Sequence, residues 1–160
     1  MLSQKLKKRI SIKKNFYIKL VKSHKYSKIL FKLRNDHVDA KHTLAKRKIK
    51  YSDHYKWYKK ILKKKNFIFL IFNKKAVVGY LRLENENKLI KARKDFFLSI
   101  FIKKKYRDQN IGSLILKKIS LLFYKNNFIS YINRENKESI SFFKKNGYRE
   151  KNKQKKIVLI

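Results

Sequence analysis

Two stretches of the chain hold residue types whose spacing suits chemistry. In the first, Lys103-Lys104-Lys105-Tyr106-Arg107-Asp108-Gln109-Asn110-Ile111-Gly112-Ser113 stands between an apolar run and an amphipathic one. A strand, a polar turn and a helix start make an anion site, because N–H groups and the helix dipole converge there. Arg107, Gln109 and Asn110 are polar, Gly112 permits close approach, and Ser113 offers a hydroxyl. The segment reads as a pyrophosphate cradle or as an ordinary strand–helix turn. In the second stretch Asn136 precedes Ser139, Phe143 and the pair Gly147-Tyr148. An Asn at a strand end can bond the amides of an extended ligand, or it can cap the next helix.

Groups able to move a proton are few. The acids are Asp36, Asp39, Asp53, Glu84, Glu86, Asp95, Asp108, Glu135, Glu138 and Glu150, and the imidazoles are His24, His37, His42 and His54. His54 titrates in the useful range, or it holds a loop at a helix start. Trp57, the single tryptophan, can stack on a ring or fill a core. Arg34 can pair with phosphate, or it can complement a helix C-terminus.

These residues need elements to hold them. Residues 11–21 mix Ile, Phe, Tyr and Val with Lys and predict a first strand. Tyr26, Ile29, Leu30 and Leu33 have helical spacing. Residues 36–51 are polar and irregular. Ser52 or Asp53 is placed to cap a helix with Tyr55, Tyr58, Ile61 and Leu62 on its apolar face. Strands are predicted over 67–73 and 76–84, joined as a hairpin, and over 95–102. A helix follows from Ile111 to about Asn126, then a strand over 128–133, a helix from Lys137 to Asn146 and a last strand over 157–160. Gly147 suits the left-handed residue that ends a helix. The order β-α-α-β-β-β-α-β-α-β is that of a mixed α/β domain.

The chain has 160 residues, which favours one domain, and no cysteine. A disulfide framework, a thiolate zinc site and a thiol nucleophile are thereby excluded. No apolar run approaches the ~20 residues of a membrane span. The N-terminal residues 1–10 read as a loose basic extension, and the expected protein is soluble and cytoplasmic. The formal charge is +36, from 46 Lys and Arg against 10 Asp and Glu. That is a nucleic-acid-type footprint. Yet Lys (38), Asn (13), Ile (19), Phe (12) and Tyr (10) supply 92 residues, and all five are encoded by A/T-rich codons. The lysines are spread rather than clustered. Most of the charge reads as compositional drift, so no specific nucleic-acid partner is expected, although polyanions should adhere at low salt.

Together the two stretches resemble the GCN5-related N-acetyltransferase superfamily. Arg107-Asp108-Gln109-Asn110-Ile111-Gly112 is similar to its Arg/Gln-x-x-Gly-x-Gly/Ala motif, with Asn110 in place of a glycine. Asn136, Ser139, Phe143, Gly147 and Tyr148 match its later strand–helix pattern, and Gly79 lies on the usual hairpin strand. The resemblance implies a single-domain α/β fold over residues 11–160, with a mixed central sheet, splayed parallel strands and flanking helices. It implies acetyl-CoA between strands 95–102 and 128–133 and no metal. Ser99, Ile100, Phe101 and Ile102 would hold the pantetheine arm, and residues Asp108 to Ser113 the pyrophosphate beside Arg107. Asn136, Ser139 and Phe143 would complete the donor site. An amine would attack the thioester directly. Many members have a tyrosine acid where this chain has Phe143; Tyr148 and Tyr106 are available by type.

Arg34-Asn35-Asp36, Ile49 and His54-x-x-Trp57-Tyr58 resemble the branch that acetylates nucleotide-linked 4-amino sugars, as in pseudaminic-acid-type pathways. This implies Arg34, Asn35, His54 and Trp57 at the acceptor, with Glu84 or His54 as the base, in a monomer or homodimer. Relatives that acetylate ribosomal-protein N-termini carry similar elements and supply the rival reading. A basic binding module without catalysis is the third.

Overall fold

The computed structural model describes residue 6 and residues 9–38, 47–63, 66–85, 95–153 and 156–159. Of the proton-transfer candidates, Asp39, His42 and Glu86 lie outside the described residues. The strands are β1 (Ile10–Lys13), β2 (Phe16–Leu20), β3 (Phe67–Asn73), β4 (Ala76–Asn85), β5 (Asp95–Ile102), β6 (Asn127–Asn133), β7 (Glu150–Lys153) and β8 (Lys156–Leu159). The helices are α1 (Ser27–Val38), α2 (Tyr51–Lys63), α3 (Ile111–Leu122) and α4 (Lys137–Lys145). One sheet runs in the order β1-β2-β3-β4-β5-β6-β8-β7. Every neighbouring pair is antiparallel except β5 with β6.

The single strand expected over 11–21 is a hairpin. Its turn uses Asn15 at φ 70°, a left-handed position that asparagine tolerates. The Asn15 carbonyl accepts from Lys74 N–H at 2.7 Å, tying this turn to the β3–β4 turn. Packing also reaches into the segment read as a loose extension, since Ile10 opens β1 and Leu6 is buried. Helix α2 starts at Tyr51, ahead of the expected cap, and Asp53 falls in its first turn. There its carboxylate complements the helix dipole. Helix α3 stops at Leu122, short of Asn126, and the buried Phe123 closes it with an N–H bond to the Ile119 carbonyl. Strand β7 went unpredicted because Glu-Lys-Asn-Lys has no apolar alternation; it exists through its ladder with β8.

Two cores sandwich the sheet. Under α3 and α4, Phe69, Ile71, Leu81, Leu83 and Leu98 pack with Ile111, Ile115, Ile119 and Phe143. On the other face Leu30, Leu33, Tyr58 and Ile61 of α1 and α2 cover Ile68, Leu70, Tyr80 and Phe101. This explains the unbroken apolar run of β3, which is buried on both faces.

The β3–β4 ladder shifts register between Ile71 and Phe72. Val78 is the extra residue, and its carbonyl accepts from Lys103 N–H at 2.9 Å, just past β5. Beside this bulge, β4 and β5 approach so closely that a Cβ on Gly79 would land on the Phe101 carbonyl oxygen, 3.1 Å from Ile102 Cα. The obstacle is backbone and cannot swing aside. Gly79→Ala should therefore destabilise the domain by at least about 2 kcal/mol. In thermal denaturation this is a drop in Tm of roughly 4–8 °C; an unchanged Tm would show that the two strands can separate freely here.

Candidate active site

Strands β5 and β6 pair over three rungs only: Asp95 with Asn127, Phe96 with Phe128 and Phe97 with Ile129. From Ser130 onward β6 pairs with β8 instead, from Leu159 to Lys156. The strands splay from Leu98 and Ser130 outward, so residues 99–102 present one edge to an open wedge. At the apex Ser130, 2% exposed, donates from Oγ to the Leu98 carbonyl at 3.0 Å. On the α1–α2 face Phe97 and Tyr131 stack across the gap with centroids 5.3 Å apart.

Past the end of β5, the loop to α3 holds Asp108 and Asn110 at φ 59°. Asparagine accepts the left-handed region, so Asn110 does what the missing glycine would do. The bond from Leu114 N–H to the Asn110 carbonyl, 3.2 Å, opens the helix. The N–H groups of Ile111, Gly112 and Ser113 stand at its positive end. Lys103, Lys104 and Lys105 precede the loop. At Gly112 the close neighbour is the Phe142 ring of α4, 2.9 Å from where a Cβ would sit. Gln109 makes one exposed contact, from Nε2 to the Lys105 carbonyl at 3.5 Å. Arg107 folds back on its own strand: Nε donates to the Ile102 carbonyl at 2.9 Å, and Nη1 lies 3.8 Å from Glu138 of α4.

At the start of α4, Asn136 Oδ1 accepts from Ser139 N–H at 3.0 Å, so its carbonyl end serves as the helix cap. The helix ends with Gly147 at φ 85°. Gly147 N–H reaches the Lys144 carbonyl and Tyr148 N–H the Phe143 carbonyl, at 3.0 and 3.1 Å. This is a Schellman closure with its apolar contact: the Phe143 and Tyr148 rings meet edge-on, 4.9 Å apart. Phe143 is a buried core residue. Burial pushes the Tyr148 phenol above its ordinary value, which makes it a poor proton donor.

On the other face the acceptor candidates gather around β4. Arg34 of α1 feels the charges of Arg82 and Glu84 and the Tyr80 phenol; burial pulls its guanidinium below its ordinary value. Its buried Nε has no hydrogen-bond partner. Glu84 is paired with Arg82 at 2.7 Å, and the Arg82 guanidinium lies over the Trp57 ring, 5.3 Å from the centroid. Glu84 is opposite Phe97 and Arg82 opposite Ser99 on β5, so this cluster stands one strand over from the wedge. Asn35 does not join it. Its amide clamps the Ile49 backbone in both directions, at 3.3 and 3.2 Å, and so fixes the segment leading into α2.

His54 is also taken up by the fold. It is 1% exposed, bonded through Nε2 to the Ser27 carbonyl at 3.1 Å, and ringed by Phe31, Tyr51, Trp57 and Tyr58. The bond to a carbonyl places the proton on Nε2. Burial lowers its pKa from 6.5, which the Ser27 bond opposes and Arg34 reinforces. It is a neutral strut between α1 and α2, closed off from solvent. Burial likewise raises the Tyr58 phenol, to about 12, and that hydroxyl donates to the Ser23 carbonyl at 2.8 Å. Sequence reasoning passed over Arg82, Ser130 and Tyr131. The signals were an arginine and a serine inside otherwise apolar strand runs.

A family model described as an acetyltransferase (GNAT) domain matches residues 64–150, more than half of the chain. The chain belongs to this family and is an acetyl-CoA-dependent N-acetyltransferase. None of the curated protein sequences matches it. Among solved structures it is similar to a Salmonella typhimurium acetyl transferase that modifies the N-terminal serine of ribosomal protein L7/L12 (TM-score 0.74, 13% identity, 95% of this chain and 96% of that one). It is also similar to a Brucella melitensis ribosomal-protein-alanine N-acetyltransferase (0.68, 20%, 89% and 95%). A third is yncA, a putative acetyltransferase from Salmonella typhimurium with its cofactor acetyl-CoA (0.71, 12%, 91% of each). At these identities the likeness is one of fold. The residues present suit the donor: an open strand edge for an amide-bearing arm leads to a helix start with free N–H geometry for its pyrophosphate. Among the described residues no three His, Asp or Glu side chains gather as a metal site, and no helix is long and apolar enough to cross a membrane.

Two outcomes follow. Asn110→Gly should preserve acetyl-CoA affinity and cost under about 0.5 kcal/mol, whereas Asn110→Val should cost roughly 1–2 kcal/mol and weaken affinity in calorimetric titration. Equal behaviour of the two variants would remove the left-handed turn from the account. For His54, the unfolded chain takes up a proton near pH 6.5 while the folded chain resists. Stability is therefore complete above that pH and declines as pH falls below it. Tm measured from pH 8 down to pH 5 should show this slope, flattened in His54→Gln; an equal slope in the variant would clear His54.

Proposed function

We propose that the acceptor is the primary amine of a small anionic amino sugar, a nucleotide-linked 4-amino-deoxy sugar by class, and that the reaction runs in the cytoplasm. The observation that carries this is the buried Arg34 Nε–H without a partner, close to Arg82 on the α1–α2 face of the sheet. A buried guanidinium edge left unpaired is costly unless a ligand supplies the acceptor atoms, and phosphate oxygens match its geometry. Trp57, already under Arg82, offers a flat apolar surface for a sugar or base.

Acetyl-CoA supplies an acyl carbon bonded to a leaving thiolate. Residues Ser99 to Ile102 hold its pantetheine arm, and Asp108 to Ser113 its pyrophosphate. Asn136 and Ser139 set the start of α4 beside this arm, and Phe143 anchors that helix. The acceptor ammonium must lose a proton before its nitrogen can attack the thioester carbon. Glu84, half-buried on the acceptor face and held by Arg82, takes that proton directly or through water. The amine attacks, the C–N bond forms, the C–S bond breaks, the new amide nitrogen releases its second proton to solvent, and the thiolate takes a proton from solvent. With Phe143 lacking a hydroxyl, no side chain at that position serves as the acid.

The test is thiol release from acetyl-CoA with UDP-linked 4-amino sugars in one set and peptides with free N-termini in another. Release with the sugars is expected. Release with peptides alone would move the enzyme to the protein N-terminal class, which the names of the ribosomal-protein enzymes favour. With the sugar acceptor, Arg34→Ala should raise acceptor KM about 10- to 100-fold and leave acetyl-CoA KM unchanged.

A further inference from the structure

Strand geometry singles out one residue on the wall of the wedge. Along a strand, successive residues point their N–H and C=O to opposite edges. The Phe101 carbonyl points toward β4, at the position where a Gly79 Cβ would sit. The Leu98 and Ile102 carbonyls point to the opposite edge, into the wedge, as their side-chain donors show: Ser130 Oγ at 3.0 Å and Arg107 Nε at 2.9 Å. Ile100, two residues from each, points the same way. It pairs across β4 with Leu81, whose own partner on the far side is Phe69. Both carbonyls flanking Ile100 on the wedge edge are therefore closed by side chains, and between them Ile100 presents its N–H and C=O to the wedge.

We propose that Ser130 and Arg107 are positioning residues that fix the register of the acyl-pantetheine arm on Ile100. This rests on the donor being acetyl-CoA. Ser130 stands where the next parallel rung would form, since register would pair it with Leu98. Its hydroxyl satisfies the Leu98 carbonyl without the β6 backbone, so β6 can turn to β8 while the ladder stops cleanly. Without the hydroxyl, that carbonyl either draws β6 back by one rung, narrowing the wedge, or competes with Ile100 for the amide donors of the arm. Arg107 closes the other end. Its Nε bonds the Ile102 carbonyl on the strand edge, and its Nη1 lies 3.8 Å from Glu138. Neither residue touches the reacting atoms; both act through the β5 backbone.

Calorimetric titration with two probes separates this role from a direct or a purely structural one. Acetyl-CoA contains the arm; adenosine 3′,5′-bisphosphate lacks it. Ser130→Ala and Arg107→Ala should each weaken acetyl-CoA affinity about tenfold and leave adenosine 3′,5′-bisphosphate affinity within twofold. Ser130→Thr, which keeps the hydroxyl, should restore the wild-type value. Three results would overturn the assignment: Ser130→Ala binding acetyl-CoA like wild type with only a lower Tm, Ser130→Thr behaving like Ser130→Ala, or Arg107→Ala losing affinity for both probes alike. The last would return Arg107 to the phosphates. Wild-type protein that binds neither probe would instead count against the donor reading itself.

Discussion

The site depends on β6 changing partners. A parallel strand pair that continued to Asn133 would satisfy every backbone group and leave no opening. Here the rungs end at Phe97 and Ile129, and β8 takes over from Ser130. The exchange is nearly neutral in hydrogen bonds for β6, which gives up rungs on one edge as it gains them on the other. The cost falls on β5, whose outer half loses a neighbour, and unpaired backbone in a partly buried place is expensive. Side chains settle most of that cost: Ser130 at the apex, Arg107 at the far end. What is left over is a short length of strand edge that a ligand with amides can complete.

The same constraint explains the neighbouring strand. β5 can hold its outer half without β6 only because β4 pairs with it from Asn85 opposite Phe96 to Gly79 opposite Ile102. The bulge at Val78 and the absence of a side chain at Gly79 bring the two backbones together where β5 needs most support. Helix α4 contributes from below, with Phe142 filling the space over Gly112 and the Phe143–Tyr148 contact locking its end. Phe143 is thus accounted for by packing, and a hydroxyl there would have to leave a well-filled core to reach solvent.

The strongly patterned elements were legible from sequence. β3 and β5 fall where their apolar runs predict, and Gly147 has the left-handed backbone its place after a helix implies. The left-handed turn at Asn110 was legible too, because it is a local preference of asparagine. The rest needed tertiary partners. A hairpin and a long strand look alike in SIKKNFYIKLV until Asn15 is seen to turn, and β7 has no pattern of its own. Side-chain roles were least legible. Asn35 and His54 are both polar residues at helix faces, and nothing local tells that their partners are the Ile49 backbone and the Ser27 carbonyl. Ser130 has the opposite history: one serine in an apolar strand carries no motif, yet topology puts it at the apex.

Charge can be weighed anew in this setting. Lysine outnumbers arginine 38 to 8, so a cation drawn at random from the surface would be a lysine. At the site the cations in defined contacts are Arg82 and Arg107. Each does something a lysine ammonium cannot do equally well: Arg82 lies flat over Trp57 while it holds Glu84, and Arg107 bonds a carbonyl through Nε while its outer nitrogens face Glu138. Planarity and a fixed fork of donors are the properties used, rather than charge. The lysine charge can draw anionic donors and acceptors toward the molecule, but a point ammonium does not choose among them by shape. Selection by shape falls to the few arginines whose geometry is set by the sheet, and among them Arg34 keeps a buried Nε with no hydrogen-bond partner.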